Sequence, residues 1–189
     1  RFDLAHPWWQ VTEALIRANV ARARGKYLVG CPDLIENLDT LSSLRGGQTV
    51  CLDLIERPAW VHAKLAEINQ VWFEAYQRIY DLTRTEDGWS AFGAFYAVGP
   101  GKTAKLQNDI SAMLSPAMFR EFVVPSLSAQ CEWLDCSLYH LDGTQAVCHL
   151  DALLGIEALD AIEWTPQAGI EGGGHRRWYD LYRRILAGG

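Results

Sequence analysis

Apolar residues recur along this chain with two different periods, and the alternation between them outlines the elements. From Pro58 to Thr83 the positions Val61, Leu65, Ile68, Trp72, Ala75, Ile79 and Leu82 step by four and three, which places them on one stripe of a helix. Pro58 suits the first turn of that helix, where its missing N–H has no intrahelical partner to lose. Ser115-Pro116 pairs a capping residue with proline at the first helical position, and predicts a second helix running to about Leu134 with a kink at Pro125. Helices are also expected over 7–24, 33–45, 144–154 and 176–187. Between them, short runs over 26–31, 90–97, 105–110, 137–142 and 161–165 predict strands.

Strand and helix therefore alternate, which argues for parallel pairing through crossover helices and an α/β fold. About five strands are too few for a closed eight-stranded βα barrel, which typically takes about 250 residues and at least roughly 200. The sheet is expected to be open, or the barrel incomplete. The 189 residues, 49% hydrophobic and 21% charged, fit a single domain over 1–189. Gly172-Gly173-Gly174 predicts a loop.

A formal charge of −6 argues against broad binding to nucleic acid or acidic membranes, because a phosphate-tracking surface needs a net basic face. The basic residues are local: Arg17, Arg22, Arg24 and Lys26, then His175, Arg176, Arg177, Arg183 and Arg184 read as solvated helix faces and ends. The five cysteines lack the dense spacing of a disulfide scaffold, which predicts a reducing, cytoplasmic setting. No apolar run reaches membrane-span length, and the start lacks the layout of a signal peptide. Arg1 at the start and Gly188-Gly189 directly after a helical segment suggest a piece of a longer chain.

The strongest candidate for chemistry is Ser137-Leu138-Tyr139-His140-Leu141-Asp142-Gly143. Side chains alternate across a strand, so Leu138, His140 and Asp142 share one face at its carboxyl end, where parallel α/β folds hold their active sites. A histidine and an aspartate two apart can bind a metal, or act as an acid/base pair. They can equally be a satisfied interior histidine and a helix cap. Gln107, Asp109 and Ser111 share a face at another strand end, where Asp109 could contact substrate, anchor His140 or form a turn. Glu163 and Trp164 end the next strand and could line a pocket for a flat ligand, although with eight tryptophans an aromatic there is also ordinary core. Gly99-Pro100-Gly101-Lys102-Thr103 is rejected as a phosphate loop, since Tyr96 stands where the leading glycine is needed and proline removes a backbone donor. Cys131, Cys136, His140, Cys148 and His149 match no spacing of a structural zinc site, and Cys131 and Cys148 read as packing residues.

The stretch Leu106-Gln107-Asn108-Asp109-Ile110-Ser111-Ala112-Met113-Leu114-Ser115-Pro116-Ala117-Met118-Phe119-Arg120-Glu121-Phe122-Val123-Val124-Pro125, followed by Tyr139-His140-Leu141-Asp142-Gly143, resembles the uroporphyrinogen decarboxylase superfamily. The closer likeness is to its branch of corrinoid-dependent methyltransferases. Trp8-Trp9, Gly25-Lys26-Tyr27-Leu28-Val29-Gly30, Leu44-Arg45-Gly46 and the run from Ile162-Glu163-Trp164 to Gly169 extend the resemblance over nearly the whole chain. It implies a partial TIM-type (β/α)8 barrel, a central piece lacking the first strands and at least the last. The arginine-rich segment with which the decarboxylase branch grips tetrapyrrole carboxylates has no match here. The methyltransferase branch holds zinc through a His-x-Cys pair and a later cysteine; His140 falls on that histidine, while Asp142, a harder ligand, stands at the cysteine and the later cysteine has no counterpart.

The resemblance thus implies methyl transfer linked to a corrinoid protein, or decarboxylation, on a small-molecule or tetrapyrrole-like substrate. His140 and Asp142 would be catalytic or metal-binding, with zinc as the metal, and Asp109, Gln107, Trp164 and Glu163 would contact substrate. Two other functions fit the same residues. One is a module that holds a corrinoid or another flat ligand without turning it over. The other is an inactive fragment whose exposed barrel edges pair with another copy.

Overall fold

A computed structural model describes residues 2–188; Arg1 and Gly189 lie outside it. The chain begins with four helices, α1 (Pro7–Ala23), α2 (Asn37–Arg45), α3 (Gly47–Glu56) and α4 (Pro58–Thr83). The hairpin β1 (Trp89–Phe92) and β2 (Ala97–Pro100) follows, and then β3 (Thr103–Gln107) and a 3-10 helix over Asp109–Met113. Next come α5 (Pro116–Met118), a π-helical turn (Phe119–Val123) and α6 (Val124–Trp133). The last part holds β4 (Cys136–Asp142), a 3-10 helix (Thr144–His149), α7 (Leu150–Leu154), β5 (Ala161–Thr165) and α8 (Tyr179–Gly188).

The fold is mixed α/β. Strands β3, β4 and β5 form a parallel sheet in that order, with helical crossovers between them, while β1 and β2 pair antiparallel. Among the described residues no closed barrel forms. On β4 the buried residues Ser137, Tyr139 and Leu141 face the helices, and Leu138, His140 and Asp142 point to the other, more open face. Of the stripe expected on α4, Val61, Leu65, Trp72 and Ile79 are buried and Ile68, Ala75 and Leu82 half-buried, while Tyr76, outside the expected stripe, is buried with them. Trp72 stacks on Tyr76 with ring centroids 5.3 Å apart, Trp133 of α6 closes on both edge-on, and the Tyr76 hydroxyl donates to the Thr103 carbonyl at 2.7 Å. That bond ties the longest helix to the start of β3.

Several predicted boundaries differ, each for a tertiary reason. No strand forms over 26–31; only Cys31 bridges to Phe92, in parallel sense. The run 90–97 is not one strand, because Gly93–Tyr96 turns the chain back, with Tyr96 at φ 53°, and makes a hairpin. The strand expected over 105–110 ends at Gln107, because the Asp39 carboxylate takes the N–H groups of Asp109 and Ile110 and starts a 3-10 helix there. The helix expected from 33 starts at Asn37, since Glu36 remains extended and turns its carboxylate onto β3. Helix α3 was not anticipated; Gly46, at φ 89°, breaks the chain between α2 and α3 but does not end helical structure. Asp53 of α3 then pairs with Arg45 of α2 and with Arg57, which precedes α4. Pro125 brings no N–H, and the π-helical turn before it absorbs the misfit where a kink was expected. Among the described residues no helix is long and apolar enough to cross a membrane.

Candidate metal centre

Register across the sheet aligns three polar residues. Gln107 on β3 lies opposite His140 on β4, and His140 lies opposite Glu163 on β5. Residues in register share a face, so these side chains form a row at the carboxyl ends of the strands. Asp142 continues the face two residues beyond His140, and Asp109 stands just past the end of β3. One ligand atom each from Asp109, His140 and Asp142 lies within 4.8 Å of the others, with both aspartates exposed and the histidine half-buried.

The row is held by a chain of polar contacts. His140 Nδ1 is hydrogen-bonded to the Glu163 carboxylate, whose other oxygen accepts from the Thr165 hydroxyl at 2.8 Å. A carboxylate accepts only, so in the neutral ring Nδ1 carries the proton and Nε2 keeps its lone pair. On the other side, Gln107 Nε2 donates to Asp109 Oδ2 at 3.1 Å, while its Oε1 accepts from the Lys105 ammonium. Lys105 is buried and paired with Asp33 at 2.6 Å. This ammonium dictates which way the Gln107 amide points, and so aims its N–H₂ at Asp109. Burial, and then the nearby Asp39 charge, push the Asp109 carboxyl above its ordinary range, with His140 and Lys105 opposing.

Aromatic rings wall one side. Phe95 lies 4.8 Å from the His140 ring, and Phe92 stacks on Phe95 at 6.0 Å. Of the residues singled out from sequence, the structure brings Gln107, Asp109, His140, Asp142 and Glu163 together. Trp164 is not with them: it occupies the opposite face of β5, buried and edge-on to Trp178 at 5.1 Å. Its alternation with Glu163 along the strand dictates this.

Two residues that sequence reasoning missed also bear on the site. Asp39 accepts from the backbone N–H groups of Asp109 and Ile110 at 2.7 and 2.9 Å, and Glu36 accepts from that of Gln107 at 2.5 Å. Both acids are buried. The one signal for them was Asp39 beside Leu38 and Leu41 on a helical stripe, an acid where an apolar residue belongs. Among the described residues no cysteine joins the metal-ligand group. Burial raises the thiols of Cys31 and Cys131 to about 12 and about 11, and the exposed Cys148 lies 3.1 Å from the Gln145 carbonyl. An apolar cleft of about 610 Å³, lined by Ile35, Leu41, Leu44, Ile68 and Trp72, lies between α2 and α4, and His140 is not among its lining residues. Polar convergence rather than depth marks the site.

No family model matches this chain, and neither do curated proteins or solved structures.

Proposed function

We propose that the chain is an enzyme of the uroporphyrinogen decarboxylase superfamily, part of a βα barrel, that uses a divalent metal at Asp109, His140 and Asp142 to act on a small molecule. The observation that carries this reading is the convergence of three ligand atoms within 4.8 Å at the carboxyl end of a parallel sheet. The donor set fits a metal: one imidazole and two carboxylates suit zinc or a harder divalent ion, and His140 has the carboxylate partner on its second nitrogen that metal-binding histidines commonly have. Bound there, such an ion would supply Lewis-acid polarisation of a substrate oxygen.

The residues present divide the remaining work. Glu163 orients His140, Gln107 and Lys105 orient Asp109, and Phe95, backed by the buried Phe92, offers an apolar wall for a flat substrate. Within the superfamily's two chemistries, this oxygen-rich set speaks against thiol activation, which is served by thiolate ligands, since among the described residues no cysteine joins the cluster. Zinc content of the purified chain tests the proposal. Near-stoichiometric metal that is lost in His140→Ala supports it, and a chain that takes up neither zinc nor another divalent ion removes it.

A second reading draws on Phe95, stacked on Phe92 and tilted against the His140 ring, which suits a corrinoid or another planar ligand held without turnover. Absorbance titration with a corrinoid would show saturation in that case. Self-association through the outer edge of β5, which pairs on one side only with β4, would appear as a dimer in light scattering.

A further inference from the structure

The Asp109 turn is gripped from a helix 70 residues earlier in the chain. Asp39, in the first turn of α2, is 8% exposed and spends both carboxylate oxygens on two successive backbone N–H groups, those of Asp109 at 2.7 Å and Ile110 at 2.9 Å. These are the opening donors of the 3-10 helix Asp109–Met113, which have no partner within it. The peptide planes on either side of the Asp109 Cα are thereby fixed, and with them the direction in which its side chain leaves the backbone. Glu36, fully buried, performs the same service two residues earlier by accepting from Gln107 N–H. Gln107 in turn holds one carboxylate oxygen of Asp109. Backbone and carboxylate of this single residue are therefore constrained from two independent elements, α2 and β3, and Asp109 Oδ1 is left available.

We propose that Asp39 is a positioning residue that aims the Asp109 carboxylate at the His140–Asp142 pair. The proposal deepens the metal-centre reading and rests on it for its functional meaning. A capping role alone would make Asp39 matter to stability and leave ligand geometry untouched, and that is where the two separate.

The test is a titration of the full chain with Co²⁺, followed by visible absorption, in the wild type, Asp39→Asn, Glu36→Gln and Leu153→Ala. Asn keeps an acceptor for one N–H and turns an amide toward the other, so Asp109 is released on one side. Asp39→Asn is expected to weaken Co²⁺ binding roughly tenfold or more, the scale of losing a group that orients a ligand, and to alter the absorption band. Leu153→Ala, a core change at a fully buried residue outside the ligand group, controls for lowered stability and should leave affinity and spectrum unchanged while the chain remains folded. Glu36→Gln keeps an acceptor oxygen for Gln107 N–H and leaves both Asp39 bonds in place, so it should weaken binding less than Asp39→Asn does. Wild-type affinity and spectrum in folded Asp39→Asn would overturn the proposal. If the wild type itself takes up no Co²⁺, the metal reading fails, and the NMR χ1 couplings of Asp109, which report where its carboxylate points, decide the positioning claim separately. A changed or averaged Asp109 χ1 in folded Asp39→Asn supports it, and an unchanged χ1 overturns it.

Discussion

His140 and Glu163 face each other across the β4–β5 ladder, and the Glu163 carboxylate is hydrogen-bonded to the inner nitrogen of the imidazole. The pairing sets the histidine tautomer without help from any loop, because both residues sit on strands whose register is locked by backbone bonds.

Glu163→Gln should therefore fold normally, since the side chain is partly exposed, and should bind Zn²⁺ or Co²⁺ about tenfold more weakly than the wild type. Isothermal titration at neutral pH measures this. Equal affinity would mean that the charge on Glu163 has no part in holding His140 ready.

Glu36 makes the stability of the protein depend on pH. Burial pushes its carboxyl well above the ordinary range, with Lys105 opposing, so the folded state prefers the protonated form. Its folded value lies above the unfolded one, near 4.3 for a glutamate, so its contribution is fully present below about pH 4.3 and is lost as pH rises through the folded value. Glu36→Gln keeps a neutral side chain of the same shape at every pH. Urea midpoints measured from pH 4.5 to 8 should decline less steeply in the variant than in the wild type; parallel slopes would refute this.

Tyr76→Phe should cost about 1 to 2 kcal/mol, because it removes a buried hydroxyl donor from the Thr103 carbonyl while leaving the Trp72 and Trp133 contacts in place. Chemical denaturation reads the change. A neutral result would show that water replaces the lost donor at the start of β3.

Gly101 sits at φ 71° in the turn between β2 and β3, and a Cβ there would meet Asp135 Oδ2 at 2.1 Å and its Cβ at 2.6 Å. Asp135 also accepts from Lys102 N–H at 2.8 Å, so it is not free to move aside. Gly101→Ala should destabilise by more than about 1 kcal/mol, combining the left-handed strain with the clash. A thermal midpoint equal to that of the wild type would contradict this.

Much of the candidate site was legible along the chain. Alternation placed His140 with Asp142 on one face of a strand end and Gln107 with Asp109 on a face at another, and only the register showed that Gln107 and Glu163 flank His140. Trp164 shows the limit of reading neighbours as partners, since one step along a strand moves a side chain to the opposite face.

What the sequence determined by itself is whatever depends on period and on residues close in the chain: the long α4 stripe, the strands β4 and β5, and the pairing of His140 with Asp142 at a strand end. Only the tertiary structure decided where β3 stops, why the chain turns at Asp109, and that Asp39 and Glu36 belong to the site. Those features rest on hydrogen bonds between residues about seventy positions apart, and such contacts leave no local periodicity to read. A buried carboxylate facing free backbone N–H groups overrides the strand tendency of the residues that carry them, and only the folded chain brings the two together.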